Sequence, residues 1–485
     1  MITRRSLLAN GAAALAACNL TRAARGSERA SALNAGGPPL PSAAQLAWQR
    51  AELAMFVHFS MNTFTGVEWG DGRASPKLFN PSALDARQWA RTARATGFRA
   101  MILTAKHHDG FCLWPTATTT YSVRASPFRD GAGDVVAEFT AACRAEGLSA
   151  GLYLSPWDRH APSYGSGKAY NDYYIAQLTE LLTRYGPLNE IWFDGANGEG
   201  PSGRHQAYDW ARIHATVRRL QPGALIFSDA GPDLRWVGEE HGVAPVTCWG
   251  SIDPERVPYP GYNGPDVEEA LGMGDPHGSV WRPAEADVSI RPDWFWHAAE
   301  DTQVKSGEDL LTLYLSSVGR NSKLLLNVPP TRAGVFAETD VRSLGDFAHL
   351  RHSLLAVNRL QGARVRASSA VPGHVASAVL DANPDTYWTT SSHERRGWLA
   401  FETPRPVVFD TLRMAEAIAL GQQIAGYRLE CRTPAGVWHT VTWGTTIGCQ
   451  KIDRFEPVTA RELRLEVEFA YGPPRLAAVG VYRSA

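Results

Sequence analysis

The stretch Asn189-Glu190-Ile191-Trp192-Phe193-Asp194-Gly195 is the part of the sequence that indicates the fold most directly. Its apolar centre suits a strand buried on both faces, and the carboxylate that follows would lie at the carboxyl end of that strand. Active sites of eight-stranded α/β barrels are built at that end, so Asp194 is a candidate functional residue. A helix cap or a turn is the competing interpretation, because Asp before Gly often follows a strand for that reason alone.

Short apolar runs alternate with amphipathic stretches between residues 50 and 335. Helical spacing over 134–146 and 171–185 places apolar residues on one face, and each stretch stops at a glycine. The alternation predicts parallel strands at 53–59, 99–104, 148–154, 189–194, 224–229, 244–249 and 323–328. These strands predict a closed (β/α)8-like barrel with one more strand hidden in 250–300. An open doubly wound sheet is the alternative, weakened because no glycine-rich phosphate-binding sequence follows the first strand.

The pattern changes beyond the barrel. Residues 336–361 are predicted to form a connecting helix. From 362 to 485, short runs separated by Gly, Pro, Thr and Asp lack helical spacing, which predicts an all-β sandwich. Its predicted strands are 374–380, 398–402, 408–413, 425–431, 437–443 and 463–468. The barrel itself is assigned to 41–335.

The first 40 residues have the pattern of an export signal followed by a tether. Arg4-Arg5 resembles a twin-arginine signal, and Leu15-Ala-Ala-Cys18 resembles a bacterial lipobox in which Cys18 would carry a lipid. The stretch from 19 to about 40 is rich in Ala, Gly, Ser and Pro, as flexible tethers are. These features predict an exported bacterial protein, either periplasmic or anchored to a membrane through Cys18.

Charge and aromatic content limit the class of ligand. Lys and Arg number 48 against 49 for Asp and Glu, so nothing in the electrostatics favours nucleic acid or an anionic membrane. Sixteen Trp and fifteen Tyr favour carbohydrate, because flat amphipathic rings cover the apolar faces of sugars. Cys112, Cys143 and Cys248 are predicted core residues; a bridge between Cys431 and Cys449 is left open.

Polar side chains follow several predicted strands at the same end. Because the carboxyl ends of barrel strands meet at one rim, we expect these side chains to gather there, although each alone has an ordinary structural explanation. The residues are His58, Glu68, Trp69, His107, His108, Asp109, Tyr153, Asp194, Arg235, Glu239 and Glu240.

Two chemistries would use such a set. A metal-dependent hydrolase would place Glu68, His107, His108, Asp109 and Asp194 around an open coordination site. Adjacent residues on a strand point to opposite faces, so the two histidines could share a metal only beyond the strand end. Glycoside hydrolysis needs no metal: one carboxylate attacks the anomeric carbon and a second protonates the leaving oxygen.

Five segments, in their order and spacing, resemble glycoside hydrolase family 29, the α-L-fucosidases. They are Phe56-Val57-His58-Phe59, Glu68-Trp69-Gly70, Lys106-His107-His108-Asp109-Gly110-Phe111, Trp192-Phe193-Asp194-Gly195 and Leu324-Leu-Leu-Asn327-Val328. The resemblance covers about 45–335 and implies a cofactor-free barrel enzyme with Asp194 as nucleophile. It implies that fucose is contacted by His58, Glu68, Trp69, His107, His108, Tyr153, Arg235 and Trp294.

The resemblance also implies a proton donor. The segment Arg235-Trp236-Val237-Gly238-Glu239-Glu240-His241-Gly242 resembles one found in the subfamily that prefers branched α1,3/1,4-linked fucose, which assigns the acid/base role to Glu240. Glu239 stands where that segment usually has Asn, and a close second carboxylate would raise the pKa of one of the pair. Glu285 is a third candidate.

The C-terminal domain carries Ala378-Val-Leu-Asp381-Ala-Asn383-Pro-Asp385-Thr386-Tyr-Trp388, which resembles a discoidin-type module similar to family 32 carbohydrate-binding modules. Oxygen ligands near Asp381 could hold a structural Ca²⁺. No sugar site is assigned to this domain.

Taken as a whole, the sequence predicts a retaining exo-α-L-fucosidase acting on fucosylated oligosaccharides or glycoconjugates. Two alternatives remain open: a metal-dependent hydrolase that uses the same rim, and a glycan-binding lipoprotein with an inactive barrel.

Overall fold

The computed structural model describes residues 37–381, 383–433 and 435–484. The chain divides into two units, 1–39 and 40–485, and every described helix and strand belongs to the second. The predicted export signal, lipobox and Cys18 lie outside the described residues, and they stay predictions. Within the described ranges no helix has both the length and the apolar character needed to cross a bilayer.

Eight parallel strands form the first sheet, which confirms the predicted barrel. They are β1 (Leu53–Val57), β2 (Ala100–Lys106), β3 (Ser149–Leu154), β4 (Glu190–Trp192), β5 (Leu225–Phe227), β6 (Arg235–Trp236), β9 (Ala284–Ser289) and β10 (Lys323–Asn327). Their order is β5-β4-β3-β2-β1-β10-β9-β6. A parallel bridge between Phe227 and Leu234 links the two outer strands and nearly closes the ring.

The predicted strand at 244–249 is wrong. This segment is irregular: the Ala244 N–H donates to Ser316 O at 2.9 Å, and the Cys248 N–H donates to the Thr446 hydroxyl at 2.9 Å. Pro245 has no N–H to give to a sheet, which accounts for the difference. The hidden strand expected in 250–300 is β9. The remaining barrel strand, β6, has only two residues and is too short to show a pattern.

Helices surround the barrel and agree with the helical spacing of the sequence. They are α1 (Ala43–Arg50), α2 (Met61–Thr65), α3 (Ala86–Ala95), α4 (Val135–Ala145), α5 (Lys168–Arg184), α6 (Trp210–Leu220), α7 (Val267–Met273), α8 (Gly307–Ser317) and α9 (Glu338–Leu354). At α4 the Asp134 side chain caps the first turn by accepting from Ala137 N at 2.8 Å. A short antiparallel pair, β7 (Ser251–Ile252) and β8 (Val280–Trp281), lies between α6 and β9.

Helix α1 covers the amino-terminal end of the barrel. The Trp48 indole donates to Glu190 Oε2 at 2.9 Å, and Gln45 Nε2 donates to the carbonyls of Asp233 and Trp281 at 2.8 and 2.9 Å. These long-range bonds join α1 to the strands that form the floor. The functional side chains lie at the opposite, carboxyl end.

The C-terminal domain is antiparallel and all-β, as predicted. Its strands are β11 (Arg364–Ala367), β12 (Trp388–Thr389), β13 (Gly397–Glu416), β14 (Ile424–Arg432), β15 (Trp438–Gly444), β16 (Lys451–Ala470) and β17 (Arg475–Tyr482). The order is β12-β17-β13-β16-β14-β15, with β11 against β13. The predicted strand at 374–380 is instead a 3₁₀ helix, Ala376–Leu380, whose apolar residues face inward at helical rather than alternating spacing.

Two smaller expectations concern this domain. The open Cys431–Cys449 pairing does not form: both thiols are free, and Cys431 Sγ lies 3.1 Å from His439 Nε2. The Asp381 carboxylate accepts from the Asn383 N–H and the Thr386 hydroxyl, both at 2.9 Å. These bonds shape the loop without showing a metal site, and calcium near Asp381 stays a prediction.

Candidate active site

Asp194 lies just beyond the carboxyl end of β4. Its Oδ2 accepts a hydrogen bond from the Tyr153 hydroxyl at 3.0 Å, and its Oδ1 accepts one from the Ala196 N–H at 2.7 Å. His108 Nε2 lies 3.8 Å from the same Oδ2. These contacts fix the carboxylate while leaving 27 % of the side chain exposed, so that a ligand can reach it.

Glu240 lies on the loop after β6, close enough to Asp194 to be affected by its charge. Glu240 is exposed as a residue, but partial desolvation of its carboxyl raises the pKa of that group, and the negative charge of Asp194 raises it further. The charge of Glu239 has a smaller effect on the pKa of Glu240, and its own carboxylate accepts from the His241 and Val243 N–H groups, both at 2.8 Å. Asp194 is therefore held by hydrogen-bond donors, whereas Glu240 favours its protonated form. Acid/base chemistry needs two carboxyl groups whose protonation differs in this way.

Glu285, the third candidate for the proton donor, lies elsewhere. It is fully buried in β9, accepts from the Trp192 indole at 3.1 Å, and is in register with Lys323 on β10. Burial raises the pKa of Glu285 well above its usual range. The charge of Glu190 raises this pKa further, and the charge of Lys323 lowers it. These partners belong to the floor of the barrel. The structure therefore brings Glu240, and not Glu285, to Asp194.

His58 is held in one orientation by Asn327, a residue that the sequence analysis did not single out as functional. Asn327 Nδ2 donates to Ser289 Oγ at 3.0 Å and to Trp294 O at 2.8 Å, so its Oδ1 is the acceptor for His58 Nδ1 at 2.9 Å. Burial lowers the pKa of His58 to about 3, so the ring is neutral. Its Nε2 is left as a hydrogen-bond acceptor for a ligand hydroxyl.

The His107 ring lies edge-to-face with that of His58 at 5.7 Å, and the His108 ring lies 4.1 Å from that of His107. Ser155 donates its hydroxyl to Trp157 O at 2.7 Å and accepts from His108 Nδ1 at 2.8 Å, which leaves His108 Nε2 as an acceptor near Asp194. Burial lowers the pKa of both histidines. His107 Nδ1 is buried and has no partner among the described residues. Such an atom is normally satisfied, so a polar ligand is expected here.

Glu68, Trp69 and Trp294 border the opening. Burial raises the pKa of Glu68 to about 7, with Asp293 adding to the effect, and neither oxygen has a partner within the described ranges. The Trp294 ring lies 5.0 Å from that of His58, beside the pocket. Trp69 packs edge-on to His108 at 6.3 Å but is 59 % exposed, so its indole can also contact the part of a substrate outside the pocket.

Arg235 does not join this group, contrary to the expectation from the resemblance. Its guanidinium donates to the carbonyls of Leu271 and Trp249, both at 2.8 Å, and to that of Arg282. The next residue, Trp236, packs inside the barrel instead. Neighbouring strand residues alternate in direction, so only one of the two can face the interior. Arg235 braces the 248–282 loops.

Two aspartates that the sequence analysis overlooked, the buried Asp287 and the half-buried Asp229, also feel the charge of Asp194. Asp287 on β9 accepts from the Trp236 indole at 2.7 Å. Asp229, just after β5, accepts from the Gly261 N–H at 2.7 Å, and burial raises its pKa to about 6. A signal for Asp287 was present in Ala284–Ser289, where Glu, Asp and Ser alternate with Ala and Val and so mark the inward face.

The ligand set of a metal hydrolase is not assembled. The Asp109 carboxylate accepts a hydrogen bond from the Tyr121 hydroxyl at 3.4 Å. Within the described part of the chain, the one His/carboxylate cluster with ligand spacing is Glu68, Asp293 and His297. That cluster includes only one member of the set expected for a metal hydrolase.

Comparison with known proteins shows the family to which the chain belongs. The family model Alpha-L-fucosidase matches residues 43–351, and the F5/8 type C domain matches 364–475. Alpha-L-fucosidase 1 of Arabidopsis thaliana is 45% identical over 453 residues, covering 92% of this chain and 87% of that protein. The structure of a glycoside hydrolase 29 family member from an unknown rumen bacterium has a TM-score of 0.81 at 37% identity, covering 92% of this chain and 78% of its own. A Ruminococcus gnavus GH29 fucosidase in complex with fucose has a TM-score of 0.85 at 32% identity, covering 93% and 97%.

Proposed function

The chain belongs to the alpha-L-fucosidase family of glycoside hydrolases, and from this premise we propose that it is a retaining exo-α-L-fucosidase. The observation that carries the proposal is the pairing of Asp194 with Glu240. One carboxylate is fixed by Tyr153 and the Ala196 N–H, and the other is held toward its protonated form. Double displacement requires a carboxylate that acts as nucleophile and a carboxylic acid that donates a proton.

The reaction proceeds in two steps. Asp194 attacks C1 of a terminal fucose, the C1–O bond breaks, and Glu240 passes its proton to the leaving oxygen. Water then attacks C1 of the fucosyl-enzyme, Glu240 takes the water proton, and the Asp194 carboxylate is released. The first step leaves Asp194 esterified and Glu240 deprotonated, and the second step returns both groups to their starting states.

The neutral histidines supply the sugar contacts. His58 and His108 each have Nδ1 committed to a protein acceptor, so each presents Nε2 to a sugar hydroxyl. Glu68 and His107 add polar atoms that have no hydrogen-bond partner among the residues that the structure describes. Trp294 beside His58 covers the methyl group of fucose. Contact with one methyl contributes about 1–3 kcal/mol, so discrimination rests mainly on the hydroxyl contacts.

We further propose that the fucose is α1,3- or α1,4-linked on a branched acceptor. The support is the likeness of the Arg235–Gly242 segment to the branched-linkage subfamily, together with the position of Glu240 in it. A panel of fucosylated oligosaccharides with linkage analysis of the products tests this point. Equal cleavage of α1,2- and α1,6-linked fucose would contradict it.

The proposal is tested by hydrolysis of an aryl α-L-fucoside with and without a chelator. We expect hydrolysis at the same rate in excess EDTA, since the proposed steps use only side chains, and none of an aryl β-D-galactoside. Loss of activity in EDTA, restored by a divalent cation, would favour the metal-dependent hydrolase. Glycan binding without hydrolysis of any fucoside would favour the inactive-barrel alternative.

A further inference from the structure

Three side chains of metal-binding type lie together beside the sugar pocket, and the proposed reaction uses only one of them. They are Glu68, Asp293 and His297, whose ligand atoms all lie within 4.8 Å of one another. His297 Nε2 is 3.6 Å from Asp293 Oδ2. Two ligands bound at tetrahedral angles about 2.0–2.2 Å from a zinc ion lie about 3.3–3.6 Å apart. Asp293 and His297 therefore have the spacing of a zinc site, and a small side-chain movement brings Glu68 into it.

The backbone that carries these ligands is braced from both sides. Asn62 Nδ2 donates to the backbone carbonyl of Glu68 at 2.9 Å. Phe295, in the loop that carries the other two ligands, packs its ring edge-on to that of His58 at 5.4 Å. The cluster thus adjoins the sugar pocket directly. Ligands on a braced backbone lose little freedom when they bind an ion, which favours binding.

The surroundings of the cluster favour a cation. Both oxygens of Glu68 are shielded from solvent and have no hydrogen-bond partner in the part of the chain that the structure describes. Buried carboxylates are normally paired or bound to a metal. Among the described residues, the one ion pair of Asp293 is that with His297. A histidine beside two carboxylates suits Zn²⁺ better than Ca²⁺ or Mg²⁺, which take oxygen ligands.

We propose that Glu68, Asp293 and His297 bind one Zn²⁺, with water in the fourth position, and that this ion inhibits the enzyme by occupying the carboxylate that fucose needs. Binding of the ion follows from the cluster alone. Inhibition rests on the proposed function, in which Glu68 contacts the sugar. Zinc and fucose then exclude each other, and the proposed hydrolysis itself uses no metal.

Steady-state kinetics with added zinc chloride test the inhibition. On an aryl α-L-fucoside we expect zinc to raise KM and to leave kcat unchanged, because the ion and the sugar compete for Glu68. Excess EDTA should restore the original KM. Ca²⁺ and Mg²⁺ at the same concentrations should not inhibit. In calorimetry, L-fucose should weaken the binding of zinc to the wild-type protein.

Two substitutions each remove one ligand and leave Glu68 in place. His297→Ala and Asp293→Asn should each raise the zinc inhibition constant and the zinc Kd by at least about tenfold, since losing even a residue that supports a metal ligand costs about 10–100-fold in affinity. Without zinc, His297→Ala should have the kcat and KM of the wild type, because His297 is not a sugar contact.

His277→Ala is the matched control. His277 is an exposed histidine whose backbone N–H donates to Asp275, and it lies outside the cluster. Zinc should inhibit this variant as it inhibits the wild type. Thermal unfolding of each variant shows that the protein is folded.

The outcomes separate the zinc site from the proposed function. Equal zinc inhibition of His297→Ala and wild type, a fall in kcat at constant KM, or inhibition that EDTA does not reverse would overturn the inference. No zinc binding in calorimetry would overturn it too. A wild-type protein inactive on the aryl fucoside would overturn the proposed function, and calorimetry of wild type against His297→Ala would still decide whether the cluster binds zinc.

Discussion

Replacing Asp194 by Ala is expected to lower kcat/KM on an aryl α-L-fucoside by at least about 10³-fold, because the bond to C1 can no longer form. The surrounding donors, the Tyr153 hydroxyl and the Ala196 N–H, would remain in place. Added azide should restore part of the turnover, since a small anion fits the space of the lost carboxylate and can attack C1 itself. The measurement is initial rate against azide concentration, with the fucosyl azide identified by mass spectrometry.

Asp229→Asn serves as the control for this prediction. It alters a half-buried carboxyl that is affected by the charge of Asp194, without removing the nucleophile. Azide should give no increase in its rate. An Asp194→Ala protein that keeps more than about a tenth of the wild-type rate would exclude Asp194 as the nucleophile.

Replacing Glu240 by Ala is expected to lower kcat/KM by roughly 10²–10⁴-fold on a fucosylated oligosaccharide and much less on an activated aryl fucoside. The acid assists departure of a poor leaving group and is barely needed by a good one. Glu240 has a raised pKa and must be protonated to act, so wild-type kcat/KM should fall as pH rises through that pKa. In Glu240→Gln this basic limb should disappear.

Glu239→Gln and Glu285→Gln are the matched controls. Glu239 caps its own loop through the His241 and Val243 N–H groups, and Glu285 lies on the barrel floor with Trp192. Neither change should depend on the leaving group. A normal rate on oligosaccharide for Glu240→Ala, with loss for Glu285→Ala, would show that the proton donor and the linkage preference inferred from its segment are both wrong.

Residues that end well-patterned strands could be predicted from the sequence. β1, β2, β3 and β4 have apolar runs long enough to read, so the rim positions of His58, His107, His108, Tyr153 and Asp194 follow from where those runs stop. These side chains were expected to gather because the carboxyl ends of parallel barrel strands meet at one rim. The helices α4 and α5 could also be predicted, because the apolar residues of each lie on one face and a glycine follows its last turn.

Short or interrupted elements could not be predicted in this way. β6 has two residues, too few for alternation to show that Trp236 faces inward and Arg235 outward. The segment 244–249 has the composition of a strand, but Pro245 has no backbone N–H to donate to a sheet. The segment bonds instead to distant residues such as Thr446. Asp287 lies in β9, where polar residues alternate with apolar ones and face into the barrel, so β9 lacks the continuous apolar run that marked the other strands.

The anomeric configuration of the first product tests the central claim most directly. Two displacements at C1, by Asp194 and then by water, predict that proton NMR of a fresh digest shows α-L-fucose first and β-L-fucose only later, through mutarotation. Appearance of β-L-fucose first would require a single displacement by water and would contradict the account of Asp194 as nucleophile.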